Sequence, residues 1–226
     1  MLGALALLLA TYLVASLSFP QLIAHAHGID LHEVGTRNLG GGNLGRAVGP
    51  IQGLTGGLLD ALKSPLAMLA ADALGATREV QLACGVVAVA AQQWPLWHRF
   101  DGGRGNAPAM ALFIAASLRA ALLTAPIVLA GLAWGVVQRV RGRRRVYSLG
   151  TPLGMLAGFV AYPLFALLAT DDLATALAAT LVTVLVVVRR LTAGLRADLR
   201  LSRDVSGILL RRLLFDSSEA QRRGPA

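Results

Sequence analysis

The chain has 226 residues and a formal net charge of +9, with 55% hydrophobic and only 15% charged residues. A soluble domain is about 25% charged and about 45–50% apolar, so the balance, with a mean hydropathy of +0.63, excludes an ordinary soluble domain and points to a membrane protein. The basic excess is almost entirely arginine and forms no continuous face interleaved with aromatics, so no nucleic-acid partner is expected; the single cysteine, Cys84, excludes a disulfide framework.

Apolar runs fall at 2–24, 51–71, 80–97, 107–123, 125–137, 147–169 and 173–188. A straight spanning helix needs about 20 residues, so the fifth and seventh runs are short. The first run opens "MLGALALLLA" without a basic segment. It therefore reads as a span and not as a cleaved signal peptide, although "AHA" at 24–26 imitates a cleavage site.

Between the first two runs lies "EVGTRNLGGGNLGR" (33–46), and nine of the chain's 25 glycines fall between Gly35 and Gly57. Glycines let a backbone approach a ligand closely, and successive amides in such turns form anion-binding concavities. Thr36, Asn38 and Asn43 add neutral polar groups around Gly40, Gly41 and Gly42, and Arg46 adds a planar fork suited to phosphate. A flexible hairpin is the competing reading of glycine enrichment alone. No Gly-Lys-Ser/Thr follows, so this is not a P-loop.

The second run carries "GGLLDALKSP" (56–65), in which Asp60, Lys63 and Ser64 share one helix face. Charges within a span face an interior or an aqueous cavity, so Asp60 and Lys63 form either a structural pair or a cavity wall. Arg119 is an isolated charge. After the third run comes a second glycine loop, "FDGGRGN" (100–106). It sets Arg104 among Gly102, Gly103 and Gly105 just before a helix, again an anion-binding arrangement. His25, His27 and His32 lack the partners of a metal site, so no metal or cofactor is expected, and no Ser-His-Asp order or nucleophile elbow appears.

Charge supplies an independent test of the span count. If seven spans alternate, residues 25–50, 98–106, 138–146 and everything after Val188 share one side and hold 18 of the 21 basic residues. The opposite side holds Arg78 with Asp72, Glu79, Asp171 and Asp172. Basic residues concentrate on the cytoplasmic side. The expected fold is thus all-α and integral to the membrane, with seven transmembrane helices, the N-terminus outside and the C-terminus cytoplasmic. Residues 1–190 form the membrane domain, and 191–226 form a basic cytoplasmic tail. That tail is either a helix on the inner leaflet or a solvated terminus.

In this order, the motifs resemble the bacterial acyl-phosphate-dependent glycerol-3-phosphate acyltransferases, the PlsY family. "YLVASLSFPQLIA" (12–24) is similar to the family's Y-L-x-G-S-I-P-F-G opening. "GIDLHEVGTRNLGGGNLGRAVG" (28–49) resembles its G-x-D-I-R-x-x-G-S-G-N-I-G-A-T-N-x-x-R-x-x-G, with Asp30, Gly35, Asn38, Gly40, Asn43, Arg46 and Gly49 coinciding. Asp60 and Lys63 match its D-x-x-K-G element. "QQWPLWHRFDGGRG" resembles its G-H-x-F-P-x-x-x-x-F-x-G-G-K-G, and "VYSLGTPLG" (146–154) its V-S-L-G-S, which contributes Ser148. Departures are Thr36 for the family's serine, Arg37 for a glycine, Gln92 for a histidine and Arg104 for a lysine. Arg190 and Ala193 stand at a terminal His-x-x-Asn.

The resemblance implies transfer of a fatty acyl group from a long-chain acyl phosphate to the first hydroxyl of glycerol 3-phosphate. The products are lysophosphatidic acid and phosphate, formed at the cytoplasmic face of a bacterial cell membrane in phospholipid synthesis. It assigns Thr36, Asn38 and Arg104 to catalysis. Gly40, Gly41, Gly42, Asn43, Arg46, Asp60, Lys63, Gly102, Gly103, Gly105 and Ser148 are assigned to substrate binding, with membrane lipid around the acyl chain. The departures leave two alternatives: a homologue that binds phosphate or lipid without catalysis, and an anion or lipid transporter. Against the transporter, no internal repeat is visible.

Overall fold

The structure is a computed structural model that describes residues 2–140, 150–170 and 172–215. Every regular element among them is helical, and the chain divides into two compact units, Met1–Ala116 and Ser117–Ala226.

The first unit contains α1 (Leu2–Ala15), α2 (Phe19–Ala26), α3 (Gly41–Ala47), α4 (Pro50–Ala73), α5 (Arg78–Gln93), a 3₁₀ turn (Leu96–His98) and α6 (Asn106–Ala116). The first apolar run is therefore two helices. Ser16 turns its hydroxyl back to the Tyr12 carbonyl (2.7 Å), and the Ser18 hydroxyl accepts from the Gln21 amide (3.4 Å), so a new helix starts with Pro20 in its first turn. Tyr12 Oη donates to the Trp94 carbonyl (2.6 Å) and Trp97 Nε1 to that of Leu13 (2.9 Å), which fastens α1 to the end of α5.

Helix α4 is central to this unit and packs against α2, α3, α5 and α6. Its contact with α3 is backbone on backbone. A Cβ on Gly41 would lie 2.4 Å from the Gly53 carbonyl oxygen, and one on Gly53 would lie 2.5 Å from Gly45 Cα. The segment between α2 and α3 is anchored by buried Gln21, whose Nε2 donates to Asp30 Oδ1 (2.7 Å) and whose Oε1 accepts from the Leu31 amide (3.0 Å). Leu31, Leu39 and Leu44 close over Ala24 as a small core beneath it. Donation from the His32 amide, reinforced by Gln21, holds the Asp30 carboxyl below its ordinary range despite a smaller opposing effect of burial.

The second unit contains α7 (Leu118–Val140), α8 (Gly150–Thr170), α9 (Leu173–Thr192), α10 (Leu195–Leu201) and α11 (Val205–Phe215). The division expected between the fourth and fifth apolar runs, at residue 124, falls instead at Ser117. Its hydroxyl accepts from the Ala120 amide (3.2 Å) and so starts α7, whereas Thr124 returns its hydroxyl to the Ala120 carbonyl (2.8 Å) inside that helix. Helices α7 and α8 meet closely enough that a Cβ on Gly154 would lie 2.5 Å from Gly131 Cα.

The tail is helical as far as Phe215, and α11 packs on α8 and α9. Arg212 and Asp198, each 1% exposed, pair at 2.6 Å, and Arg212 also donates to the Leu191 and Ala193 carbonyls.

Among the described residues, four stretches are long and apolar enough to cross a membrane: Leu2–Ala26, Leu118–Gln138, Thr151–Thr170 and Leu173–Arg200. Helix α4 has the length, 24 residues, but is diluted by Asp60, Lys63 and three glycines. Helices α5 and α6 have 16 and 11 residues.

Two outcomes are expected. Removing one partner of a buried ion pair costs about 3–5 kcal/mol. Asp198→Asn should therefore lower the thermal midpoint in detergent and expose the segment after Gly194 to protease; a parent-like midpoint with a resistant tail would refute the docking of α11. Because its folded pKa is depressed, Asp30 stabilises the fold above the unfolded carboxylate value near about 3.9 and ceases to do so as pH falls through its folded pKa. Asp30→Asn should melt below the parent at pH 7, and the gap should close in acid below about pH 4.

Candidate active site

The first glycine loop is ordered by Asn43, which is buried on α3. Its Oδ1 accepts from the Thr36 amide (2.9 Å), while Nδ2 donates to the carbonyls of Leu31 (3.2 Å) and Val34 (3.1 Å). That side chain is thus turned inward on its own loop. The packing requires glycine at 35, which has φ +56° and where a Cβ would lie 2.4 Å from Asn43 Oδ1.

The Thr36 hydroxyl accepts from Arg46 Nη2 at 3.1 Å on the exposed rim, which brings together two of the expected residues. Gly40 caps α3, Gly41 is packed on α4, and Gly42 is exposed beside Arg46. Asn38 Oδ1 is a buried acceptor without a hydrogen-bond partner among the described residues. Arg37, standing where the resembled motif has glycine, keeps a left-handed φ of +52°.

Beneath the loop lies the expected Asp60–Lys63 pair, Nζ to Oδ1 2.8 Å, with both side chains almost fully buried. Lys63 also donates to the Leu17 carbonyl, at the break between α1 and α2, and to Gln92 Oε1 on α5. Its ammonium sits 5.4 Å from the centre of the Phe19 ring. The ammonium is thus surrounded by three protein oxygens, two of them accepting hydrogen bonds and the third that of its ion-pair partner. Gln92 completes the network: Nε2 donates to Asp60 Oδ2 (2.7 Å) and to the Leu39 carbonyl (3.3 Å).

The second glycine loop is laid on the end of α5. The Gly102 amide donates to the Gln93 carbonyl (3.3 Å) and the Gly103 amide to that of Gln92 (2.9 Å), while Gln93 Nε2 donates to the Arg104 carbonyl (3.1 Å). A Cβ on Gly102 would lie 2.4 Å from the Gln92 carbonyl oxygen. One on Gly103 would lie 3.0 Å from Gln92 Nε2 and 3.4 Å from the Leu39 carbonyl oxygen. The two glycine loops therefore touch at Gln92. Gly105 takes φ +74° against Gln93, and Arg104, between it and Gly103, is half-buried.

The His98 ring lies 6.2 Å from that of His32. Burial first, then the neighbouring charges of His32, His25 and Lys63, pushes its pKa down. No cluster of metal-ligating side chains occurs among the described residues.

The structure thus gathers Thr36, Asn38, Gly40, Gly41, Gly42, Asn43, Arg46, Asp60, Lys63, Gly102, Gly103, Arg104 and Gly105 in the first unit. Ser148 lies outside the described residues, and Arg119 is an exposed residue of α7. Sequence reasoning did not reveal the parts played by Ser18, Gln21 and Gln92. The available signal is polar amides and a hydroxyl inside apolar runs, as in "SFPQLIAHA" and "VVAVAAQQW".

Comparison with known proteins places this geometry. The family model described as "Glycerol-3-phosphate acyltransferase" matches residues 5–196. The chain is 32% identical to a glycerol-3-phosphate acyltransferase of Desulforamulus reducens over 67% of its own length and 72% of the relative's. With that of Aquifex aeolicus it shares 33% over 58% and 69%. The crystal structure of PlsY, an integral membrane glycerol 3-phosphate acyltransferase, in its glycerol 3-phosphate form superposes with a TM-score of 0.69 at 26% identity, covering 91% of this chain and 93% of that one. The lysophosphatidic acid form gives 0.67 at 25%, with 88% and 92% covered. With the family model matched over most of the sequence and an integral membrane acyltransferase superposing on nearly all of the chain, one conclusion follows: this multi-pass membrane protein belongs to the glycerol-3-phosphate acyltransferase family.

Proposed function

We propose that the protein transfers a fatty acyl group from a long-chain acyl phosphate to the first hydroxyl of glycerol 3-phosphate, releasing lysophosphatidic acid and phosphate. The observation that carries the reading is the meeting of two arginine-bearing glycine loops, one with Thr36 and Arg46 paired and the other with Arg104, in a chain matched to this family from residue 5 to 196. The reaction belongs at the cytoplasmic face of a bacterial cell membrane. Seven helices would span that membrane, with the N-terminus outside, in keeping with the one-sided distribution of arginine.

An acyl phosphate is already activated, and phosphate is its leaving group, so direct attack by the glycerol 3-phosphate hydroxyl needs no covalent enzyme intermediate. Arg46 and the amides around Gly40–Gly42 would hold one phosphate and Arg104 the other, since the Gly102 and Gly103 amides are donated to the end of α5. Asn38 Oδ1, a buried acceptor, suits the attacking hydroxyl, with Thr36 orienting the reactants. Positioning and preorganised positive charge would then supply most of the rate. Asn43, Asp60 and Lys63 would act at one remove, because their polar atoms are engaged in holding the loops. The acyl chain would lie against lipid.

A second reading, a phosphate- or lipid-binding homologue without catalysis, is favoured by one observation. Arg190, at the position of a family histidine, is 1% exposed and donates to the Pro152 carbonyl. The test is purified protein in lipid with palmitoyl phosphate and radiolabelled glycerol 3-phosphate, with acyl-CoA and acyl carrier protein as parallel donors. Labelled lysophosphatidic acid from the acyl phosphate alone is expected; binding without product would select the second reading.

Arg104→Gln should lower turnover by about 10²–10³-fold, the usual cost of losing a preorganised charge contact, while the protein still enters the membrane. Unchanged activity would remove Arg104 from the mechanism. A reporter joined after Ala226 should score as cytoplasmic, and an external signal would reverse the proposed topology.

A further inference from the structure

The atoms around Gln92 permit only one amide orientation. A lysine ammonium can only donate, so the Lys63 contact must be to Oε1, and a carboxylate can only accept, so Asp60 must face Nε2. The second hydrogen on Nε2 then points to the Leu39 carbonyl, immediately before the glycines of the first loop. The backbone carbonyl of Gln92 itself receives the Gly103 amide of the second loop.

We propose that Gln92 is a positioning residue for the acyl transfer, setting the separation of the two glycine loops and hence of the two phosphates they hold. The inference rests on the functional reading above. Glutamine suits the place chemically, because its side chain offers a donor and an acceptor at fixed spacing without adding a charge to the buried pair. Glutamate would present two acceptors and set a second carboxylate against Asp60. A hydrocarbon of the same length would leave the Lys63, Asp60 and Leu39 groups each short of one partner.

A charge-swapped pair of variants separates positioning from simple support. In Gln92→Glu the second carboxylate should lower the thermal midpoint and the yield of folded protein. Adding Asp60→Asn restores one carboxylate and one ammonium, and lets the new amide donate to the glutamate, so the midpoint should return close to the parent's. The Leu39 carbonyl still faces an acceptor in place of a donor. The double variant should therefore remain impaired per folded molecule, with KM for glycerol 3-phosphate raised and kcat/KM down about tenfold, the worth of one hydrogen bond at about 1.4 kcal/mol.

Kinetics that recover together with the midpoint would overturn the inference, since a merely supporting glutamine predicts that. If neither glutamate variant folds, Gly103→Ala decides the matter. It leaves Asp60, Lys63 and Gln92 in place but sets a methyl group 3.0 Å from Gln92 Nε2 and 3.4 Å from the Leu39 carbonyl oxygen, so that Nε2 must shift and kcat/KM per folded molecule should fall; parent-like kinetics would sink the proposal. A parent chain without turnover overturns the functional reading and this inference with it. Normal kinetics in every variant of an active parent overturn the inference alone.

Discussion

The Asp60–Lys63 pair is the constraint on which the rest of the first unit depends. Charges removed from water are costly unless every lone pair and hydrogen finds a partner, and α4 supplies only the two charges themselves. The remaining partners come from elsewhere: the Leu17 carbonyl, exposed because α1 stops before Pro20, and the amide of Gln92 at the end of α5. Satisfying one ion pair therefore fixes where the first apolar run must break and which residue of α5 faces α4. It also fixes how closely the two glycine loops approach, since both are tied to Gln92.

Glycine has two distinct uses around this centre. At Gly41, Gly45 and Gly53 it removes side chains so that α3 can lie on α4 with backbones touching. At Gly102 and Gly103 it lets a loop settle onto the last turn of α5. A glycine-rich stretch is therefore here first a packing device. Any anion-binding capacity of its amides depends on the rigidity that this packing gives. Asn43 belongs to the same logic, a polar side chain facing inward to shape the loop from beneath.

Much of this was legible in the sequence, and the rest was hidden for physical reasons. The spacing of Asp60 and Lys63 is a local property of a helix, so their pairing can be read directly. The described residues of the apolar runs are mostly helical, because burial in an apolar medium is written into composition, but the runs and the helices do not correspond one to one. The break after Ala15 had its signals in Ser18 and Pro20, but a continuous apolar run masked them. The division at Ser117 depends on one hydroxyl capping one turn, whereas Thr124 looks alike in sequence and bonds in the opposite direction along the chain. The partners of Gln92 lie 29, 32 and 53 residues away, and no local pattern announces contacts of that range. The tail's charges suggested solvent or lipid, whereas Arg212 turns inward to Asp198.

Arg37 holds a left-handed backbone without being glycine, and Arg99 and Phe100 do the same at the start of the second loop. A side chain resists that conformation by about 1–2 kcal/mol, so it persists only where the surroundings leave no alternative. Neither loop therefore owes its shape to an easily bent backbone. Their conformational freedom is surrendered when the chain folds and not when a reactant arrives, so less entropy remains to be lost on association. A small, strongly hydrated molecule such as a sugar phosphate has few atoms with which to offset an ordering cost, and a cradle stiffened beforehand is the form in which weak contacts suffice.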